Sequence, residues 1–452
     1  MRVNPGRVIS RVVCTLVLSL LSQGAAGEIL YEAAKLVASD GDGTDLFGLS
    51  ASISGDVVLV GANWDSDYAY GSGSAYVFRR IPGSPATWAQ EAKLLPPDPA
   101  ELDEFGVSVS VYGDVAVVGS FRDDDLGNSS GSAYVFRKSG TSWSLEQKLL
   151  ASDGASSDFF GISVSVSGDV IAIGAHGDNN NNGFNAGSAY IFRWNGTEWM
   201  EEQKLLSPEA SGGNELGYSV SLSGDIVAVS ALYGPVDVFR WNGVSWQAEQ
   251  TLEAQGLTVA ASGDVIIVGA AQHDHNGSAN VYRWNGSSWV HQQVLVPLKG
   301  GEHTHFGTSV SVSGDAAVVG AIWDDENGNR AGSAYVFRWD GFAWVEEQKL
   351  LPSDGVGKFE FGWSAAVDGN VAVVGAIGDG FGVGAAYVFN LACEEGYYGP
   401  LCLPCPGGSA DLEIPDCAAP IPTLSGWGLV VLVLLMLVAG KVSFRCRATA
   451  RS

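Results

Sequence analysis

Hydrophobic and small polar residues alternate in short runs along most of the chain, most clearly in residues 306–351. Residues 309–313 alternate serine with valine, the period of two that a strand with two different faces produces. Gly314 and Asp315 follow and predict a two-residue hairpin, because glycine tolerates the positive φ of such turns. Residues 316–320 are apolar throughout, which favours a strand that is covered on both faces.

Two further runs complete this unit. Residues 333–338 predict a third strand, and Asp340 with Gly341 predicts another tight turn. Residues 344–351 mix tryptophan and leucine with glutamate, glutamine and lysine. This composition is typical of an outer edge strand whose charges discourage pairing with another molecule. The unit therefore predicts a four-stranded antiparallel sheet.

The unit recurs seven times. In each copy a glycine near the start precedes a second glycine by seven residues, as Gly307 precedes Gly314. The copies are spaced by 39 to 58 residues, a period that indicates the blades of a β-propeller. They begin at Phe47, Phe105, Phe160, Leu216, Gln255, Phe306 and Phe361.

The two ends of the array predict how the propeller closes. The seventh copy stops after its third strand, at residues 385–390, and a run similar to a fourth strand, residues 29–36, precedes the first copy. We therefore expect an all-β fold in which residues 28–391 form a seven-bladed β-propeller closed by the N-terminal strand, so that no sheet edge stays open. An open stack of sheets and a pair of β-sandwiches are the alternatives.

The repeated motifs resemble a known family. The Phe-Gly start, the Val-Gly-Ala after the second strand and the Gly-Ser-Ala-Tyr-Val-Phe strand are similar to FG-GAP repeats, which form the integrin α-chain propeller and occur in many bacterial surface proteins. The resemblance implies a propeller used for binding. Two features depart from the family: no copy has the proline of "GAP", and the tight Gly-Asp turn stands where the family has its aspartate-rich calcium loop. We therefore do not expect integrin-like calcium binding at that turn.

The N-terminus predicts export. Arg2, Arg7 and Arg11 precede or begin a short apolar run, and Ala25 to Gly27 offer small residues for cleavage. Residues 1–27 are therefore predicted to be a secretory signal peptide.

The C-terminus predicts a membrane-spanning segment and a sorting signal. Residues 421–440 are long and apolar enough for a transmembrane helix, and the arginines that follow predict a cytoplasmic tail. Together with the Ile-Pro-Thr-Leu sequence at 421–424, residues 419–452 resemble the bacterial IPTL C-terminal sorting signal, which implies a sorting enzyme of the exosortase type as a partner. An ordinary stop-transfer anchor is the alternative. We expect a protein exported to the cell surface or anchored in the membrane, with release from the anchor left open.

Four cysteines lie between the propeller and this segment, so residues 392–418 are predicted to be a small Cys-rich stalk. An even number of cysteines in an exported segment favours two disulfides, whose pairing the sequence leaves open. The segment also resembles the tail of an EGF- or laminin-type module. The Cys-x-x-Cys spacing alternatively fits half of a zinc site. The four are Cys393, Cys402, Cys405 and Cys417.

Charge narrows the choice of partners. The chain has a formal net charge of −26. Such an acidic protein is not expected to bind nucleic acid or anionic lipid by charge.

Strand order places the loops after the second and fourth strands on one side of the ring, which we call the long-loop rim. Loops held by a rigid scaffold are preferred ligand sites, and hard cations prefer carboxylates. Aspartates on this rim are therefore candidate Ca²⁺ ligands, with ordinary solvated turns as the alternative. The candidates are Asp65, Asp67, Asp123, Asp124, Asp125, Asp324 and Asp325.

Two histidine pairs are predicted on the same rim, His273 with His275 in a loop of blade 5 and His303 with His305 in the loop that enters blade 6. The neighbouring loop of blade 4 is short, as is the loop that enters blade 5, which predicts a notch beside the histidines. Four imidazoles suit Zn²⁺, and exposed histidines without a metal are the alternative.

The sequence contains no nucleophile elbow, HExxH helix or phosphate loop. We therefore expect no enzyme, but a surface-displayed module for adhesion or for binding an extracellular protein or glycan. This expectation depends on analogy of fold. The alternatives are an exported hydrolase or lyase that uses the acidic rim loops, and a purely structural protein of the envelope or matrix.

Overall fold

The computed structural model describes residues 32–83, 87–209, 212–271, 276–299, 301, 303–355, 357–378, 382–391, 397–398 and 403–404. Seven four-stranded antiparallel sheets form the blades of a propeller, which confirms the predicted repeat and its number of copies. In blades 1 to 6 the strands follow each other in sequence order from the axis outward.

The strand boundaries repeat closely from blade to blade. Blade 1 contains β2 (Ser50–Ser54), β3 (Val57–Ala62), β4 (Ser74–Arg80) and β5 (Trp88–Leu94); blade 2 contains β6 (Ser108–Tyr112), β7 (Val115–Ser120), β8 (Ser132–Ser139) and β9 (Ser142–Leu149). Blade 3 contains β10 (Ser163–Ser167), β11 (Val170–Ala175), β12 (Ser188–Trp194) and β13 (Trp199–Leu205); blade 4 contains β14 (Leu216–Ser223), β15 (Ile226–Ala231), β16 (Pro235–Trp241) and β17 (Trp246–Gln255). Blade 5 contains β18 (Thr258–Ser262), β19 (Val265–Ala270), β20 (Ser278–Trp284) and β21 (Trp289–Leu295); blade 6 contains β22 (Phe306–Ser313), β23 (Ala316–Ala321), β24 (Ser333–Trp339) and β25 (Trp344–Leu350).

Blade 7 is completed by the N-terminal strand, as predicted. Its sheet has the order β1 (Glu32–Leu36), β28 (Ala385–Asn390), β27 (Val371–Ala376) and β26 (Phe361–Asp368). β1 pairs antiparallel with β28, so that Lys35 lies opposite Tyr387. The first and last parts of the propeller are therefore joined within one sheet, which closes the ring.

The Phe-Gly pair that begins five of the seven copies packs one blade against the next. Phe160 is fully buried and meets Tyr190 and Phe192 of its own blade edge to face, at 5.4 and 6.1 Å between ring centroids. Its backbone bridges to Gly131 of blade 2. Gly161 follows with φ 92°, and a Cβ there would lie 2.2 Å from the Ser132 carbonyl oxygen. Only glycine fits this close approach, which explains why the motif is Phe-Gly.

The polar residues of the fourth strands connect neighbouring blades. The Gln203 side chain donates to the Trp246 carbonyl oxygen and accepts from the Trp246 amide, both at 2.8 Å. The Trp246 indole Nε1 donates to Glu202 at 3.1 Å, and the Arg193 guanidinium lies 4.6 Å from the Trp241 ring centroid. The same glutamine contact joins blades 2 and 3, 4 and 5, and 5 and 6. These polar residues, which the sequence suggests only as protection of an edge, therefore join each of blades 2 to 5 to the blade that follows it.

The chain divides into two compact units, and the propeller belongs to the first. Within the second, β29 (Tyr397–Tyr398) pairs antiparallel with β30 (Leu403–Pro404). No helix among the described residues is long and apolar enough to cross a membrane. The predicted signal peptide, the four cysteines and the C-terminal segment from 419 lie outside the described residues.

Candidate functional site: the long-loop rim

In several blades a lysine of the fourth strand lies among aspartates of the long-loop rim. In blade 2, Lys148 Nζ lies 2.9 Å from Asp98 Oδ2, 2.9 Å from Asp123 Oδ2 and 2.7 Å from Asp125 Oδ2. The Tyr134 hydroxyl donates to Asp123 Oδ2 at 2.7 Å, and the ammonium lies 5.0 Å from the Tyr134 ring centroid. We call this arrangement the Lys–Asp network. Equivalent contacts join Lys93 to Asp65, Lys204 to Asp178 and Lys349 to Asp324.

The network fixes the charge of its buried carboxylate. Burial alone would raise the pKa of Asp123, but hydrogen bonds from Lys148, Tyr134 and Ser132 outweigh it and lower the pKa below its ordinary value. Asp65 and Asp324 show the same lowered pKa for the same reasons. The pKa of Lys148 is raised, because its hydrogen bonds to carboxylates outweigh the cost of burial. In blades 1, 2 and 6 a lysine ammonium therefore compensates the buried carboxylate, Asp65, Asp123 or Asp324, that the sequence offers as a calcium ligand.

The other candidate aspartates stabilise their own loops or add to the network. Asp124 Oδ1 accepts from the Ser129 amide at 2.6 Å, and Asp325 Oδ1 accepts from the Arg330 amide at 2.7 Å. Asp67 accepts from Lys93 at 2.5 Å. Among the described residues, no group of three or more His, Cys, Asp or Glu side chains is arranged to hold a metal ion. Calcium binding by the rim stays a prediction.

One of the two predicted histidine pairs, His303 with His305, lies among the described residues. His303 donates its backbone amide to Asn276 Oδ1 at 2.9 Å, which brings the loop that enters blade 6 next to residue 276. His305 packs against Trp323 with 3.7 Å between ring centroids, and burial lowers its pKa. His273 and His275 lie outside the described residues. The predicted zinc site is therefore untested.

The central channel opens on the long-loop rim through a ring of larger side chains. The innermost strands enclose a cavity of about 590 Å³, lined mainly by serine, alanine and valine. The residue that follows the Phe-Gly glycine in each copy surrounds the opening, and each of these residues is partly exposed. We call this ring the channel mouth: Leu49, Val107, Ile162, Tyr218, Leu257, Thr308 and Trp363.

An arc of aromatic rings extends from the channel mouth across blades 2 to 4. Phe121 lies 5.9 Å from Phe159, Phe159 stacks on His176 at 5.0 Å, and His176 meets Tyr218 edge to face at 5.9 Å, all between ring centroids. Burial lowers the pKa of His176 to about 4, so its imidazole is neutral at neutral pH. The sequence analysis missed this arc. The available signal was the third residue of the "GAP" position, where Phe121 and His176 stand in place of proline.

The fold and this rim define a closed seven-bladed β-propeller with an apolar, partly aromatic opening on its long-loop side. Six segments of the chain match the FG-GAP repeat family, and together they cover more than half of it: residues 31–78, 88–136, 143–192, 199–237, 289–337 and 344–389. The chain belongs to the FG-GAP repeat family. Residues 419–440 match the IPTL-CTERM motif. The two matches together indicate an exported cell-surface protein.

Among solved structures, the crystal structure of the Saccharomyces cerevisiae Sqt1 is similar, with a TM-score of 0.43 and 12% sequence identity over 81% of this chain and 86% of that chain. The search of curated proteins found no match.

Proposed function

We propose that this protein is displayed on the cell surface, where it binds an extracellular protein or glycan without converting it chemically. The observation that carries the proposal is the channel mouth with its aromatic arc. Stacked rings such as Phe159 and His176 present apolar area that is already held in place, so little side-chain entropy is lost when a partner docks. The C-terminal segment from 419 would serve as the signal for the sorting enzyme and, through its predicted helix, as the membrane anchor.

Charge supports a partner that is not a polyanion. The chain carries a net charge of −26, and its rim lysines are already paired with aspartates. Long-range repulsion disfavours nucleic acids and acidic polysaccharides, because no basic patch of the described rim compensates it. A neutral or basic partner fits this surface better.

Three buried carboxyl groups under the rim raise the alternative of an exported hydrolase or lyase. Burial raises the pKa of Asp45, Asp103 and Asp158 to about 6, a value that suits a general acid. Each of them, however, accepts a hydrogen bond from the backbone amide three residues before it, at 2.7 to 2.9 Å. Repetition of one contact in three blades supports a structural role in shaping the loops, so binding remains our proposal.

Binding of the fluorescently labelled full-length chain to extracellular matrix polymers tests the proposal. We expect Tyr218→Ala with Trp363→Ala to weaken binding at least about tenfold, corresponding to the loss of ~1.4 kcal/mol of contact. Phe342→Ala is the matched control, because Phe342 is 86% exposed in a turn on the opposite rim. Equal binding by the double variant and the control would refute a binding role of the channel mouth. Turnover of a matrix polymer by the parent protein would replace binding with catalysis.

A further inference from the structure

The junction between blades 4 and 5 lacks the features that fill the other junctions. Gln255 stands where five other copies have the phenylalanine wedge and the fourth has Leu216, and only Gly256 and Leu257 connect β17 to β18. The described residues show a parallel backbone bridge at each of the other six junctions, as between Gly131 and Phe160, but none here. Residues 238–288, which form most of this junction, are also the longest stretch of the propeller between FG-GAP matches.

The part of the same junction nearest the rim opposite the long loops keeps the contacts of the other junctions. The Gln250 side chain of blade 4 donates to the Trp289 carbonyl oxygen and accepts from the Trp289 amide, both at 2.8 Å. The Trp289 indole donates to Glu249 at 2.9 Å. The Arg240 guanidinium lies 4.7 Å from the Trp284 ring centroid. Blades 4 and 5 are therefore held together like the other blades, and only the part of the junction nearer the long-loop rim is left unfilled.

Two further differences from the other blades leave space in the part of the junction nearer the long-loop rim. Asn280 takes the position of the tyrosine, and Val294 takes the position of the lysine, that fill this place in blades 1, 2, 3 and 6. The result is a cleft of about 580 Å³, within the range of roughly 300–1,000 Å³ that small-ligand sites occupy. We call it the blade 4–5 cleft: Gln250, Thr251, Glu253, Ala254, Asn280, Tyr282, Trp289, Val290 and His291. None of its lining residues belongs to the short loop at 231–234 or to the two histidine pairs, so the notch predicted beside those histidines stays a prediction.

The cleft presents both hydrogen-bond donors and acceptors. His291 Nε2 lies 3.2 Å from Asn280 Oδ1, so a protonated Nε2 leaves Nδ1 as an acceptor and leaves the Asn280 amide hydrogens as donors. Tyr282 packs edge to face on His291 at 5.2 Å, and its hydroxyl accepts from the Ala254 amide at 3.0 Å. Burial raises the pKa of Tyr282, and the nearby Glu253 carboxylate raises it further. Glu253 thus adds an acceptor at the edge of the cleft.

We propose that the blade 4–5 cleft binds an uncharged saccharide. A sugar hydroxyl both donates and accepts, which matches the mixed groups of Asn280, His291 and Glu253. No lining residue is a lysine or arginine, so the cleft offers no counter-ion to an acidic sugar or a phosphate. Asn280 and His291 hold each other in place, so their remaining donors and acceptor are already oriented for a ligand with matching hydroxyls. The inference adds to the proposed binding role a second site with one ligand class, and rests on that role only in requiring binding without conversion.

The test uses the full-length chain on an array of immobilised neutral and acidic glycans, followed by calorimetry with the best neutral oligosaccharide. Asn280→Tyr restores the residue of the other blades and fills the cleft. His291→Ala removes one exposed polar group, so a folding defect of the first variant cannot obscure the result. Met200→Tyr is the matched control, because Met200 is 50% exposed on β13, where it pairs with Arg193 as Val290 of the cleft strand pairs with Arg283.

We expect neutral glycans to bind the parent and the control equally, and both cleft variants to bind them at least about tenfold more weakly. Binding of acidic glycans alone, no binding of any neutral glycan, or unchanged binding by both cleft variants would overturn the inference. These failures leave the channel mouth untouched, since its variants Tyr218→Ala and Trp363→Ala are measured separately on matrix polymers. If those variants lose binding and the cleft variants do not, the proposed function stands and the saccharide site is refuted.

Discussion

Replacing the lysine of one Lys–Asp network isolates the effect of its charge. In Lys148→Met, the buried Asp123 loses its ammonium partner but keeps the hydroxyl donors Tyr134 and Ser132, at 2.7 and 2.8 Å. The Asp123 side chain is only 6% exposed, so it cannot exchange the lysine for water without rearrangement. Removing one partner of a buried ion pair costs about 3–5 kcal/mol, and we expect a loss near the lower end because the two hydroxyls remain.

Two further variants separate this charge effect from simple loss of a side chain. Asp98→Asn removes a contact of the same lysine whose carboxylate is 48% exposed, and exposed pairs contribute less than about 1 kcal/mol. Adding Asp123→Asn to Lys148→Met removes the uncompensated charge, so the double variant should recover part of the lost stability. Urea unfolding followed by tryptophan fluorescence gives the three free energies, provided that the slope with denaturant is unchanged.

The loss in free energy of unfolding caused by Lys148→Met should also depend on pH. The pKa of Asp123 is lowered in the folded protein, so its contribution to stability is present above the unfolded pKa of about 3.9 and is lost as the pH falls through the folded value. The gap between parent and variant should therefore be largest at neutral pH and shrink below about pH 4. The reasoning is refuted if Lys148→Met costs no more than Asp98→Asn, or if the double variant is as unstable as the single one.

Three other predictions concern the contacts between blades and the buried carboxyls. Phe160→Ala should cost about 3–5 kcal/mol, because it leaves a cavity where the wedge was, whereas Phe342→Ala in an exposed turn should leave the urea midpoint within error. Gln203→Ala should cost about 1–3 kcal/mol, because the Trp246 amide loses its partner and the Trp246 carbonyl keeps only the Gln247 donor at 3.2 Å, and Met200→Ala on the exposed side of β13 serves as control. Burial raises the pKa of Asp103 to about 6, so its contribution to stability is present below pH ~4 and declines as the pH rises through 6. We therefore expect a higher urea midpoint at pH 5 than at pH 7 and a smaller difference in Asp103→Asn; an unchanged difference would show that this carboxyl ionises normally.

The repeat made the architecture predictable because its signals are local. Two-residue turns such as Gly314 with Asp315 and the alternation at residues 309–313 specify strands one at a time, and seven copies of one unit leave few ways to bury the same faces. The missing fourth strand of the last copy then predicted closure by residues 29–36, which the pairing of β1 with β28 confirms.

The site was harder to predict because its contacts join residues far apart in sequence. Lys148 and Asp98 form an ion pair although 50 residues separate them in sequence. Nothing in either segment marks the pair, so the sequence alone offers the aspartates as metal ligands. The aromatic arc combines residues of three blades in the same way. The blade 4–5 cleft was not predicted, because the polar groups of Asn280 and His291 come together only when β20 and β21 are paired.

Closure of the ring by β1 is the claim on which the channel mouth depends. Strand order puts the loops after the second and fourth strands on one side, and only a closed ring makes that side a single rim around a channel. Ala34 and Val388 lie opposite each other in that sheet, so Ala34→Cys with Val388→Cys should form a disulfide under mild oxidation, detected by mass spectrometry of the digested full-length chain. In the chain-entropy account, linking residues so far apart stabilises by as much as about 5–6 kcal/mol, which should also raise the urea midpoint. Ala34→Cys with Ala372→Cys is the control, because Ala372 pairs with Phe389 and lies one strand further in. A disulfide in the first pair and none in the second is the predicted result; no disulfide in the first pair would contradict the closed propeller.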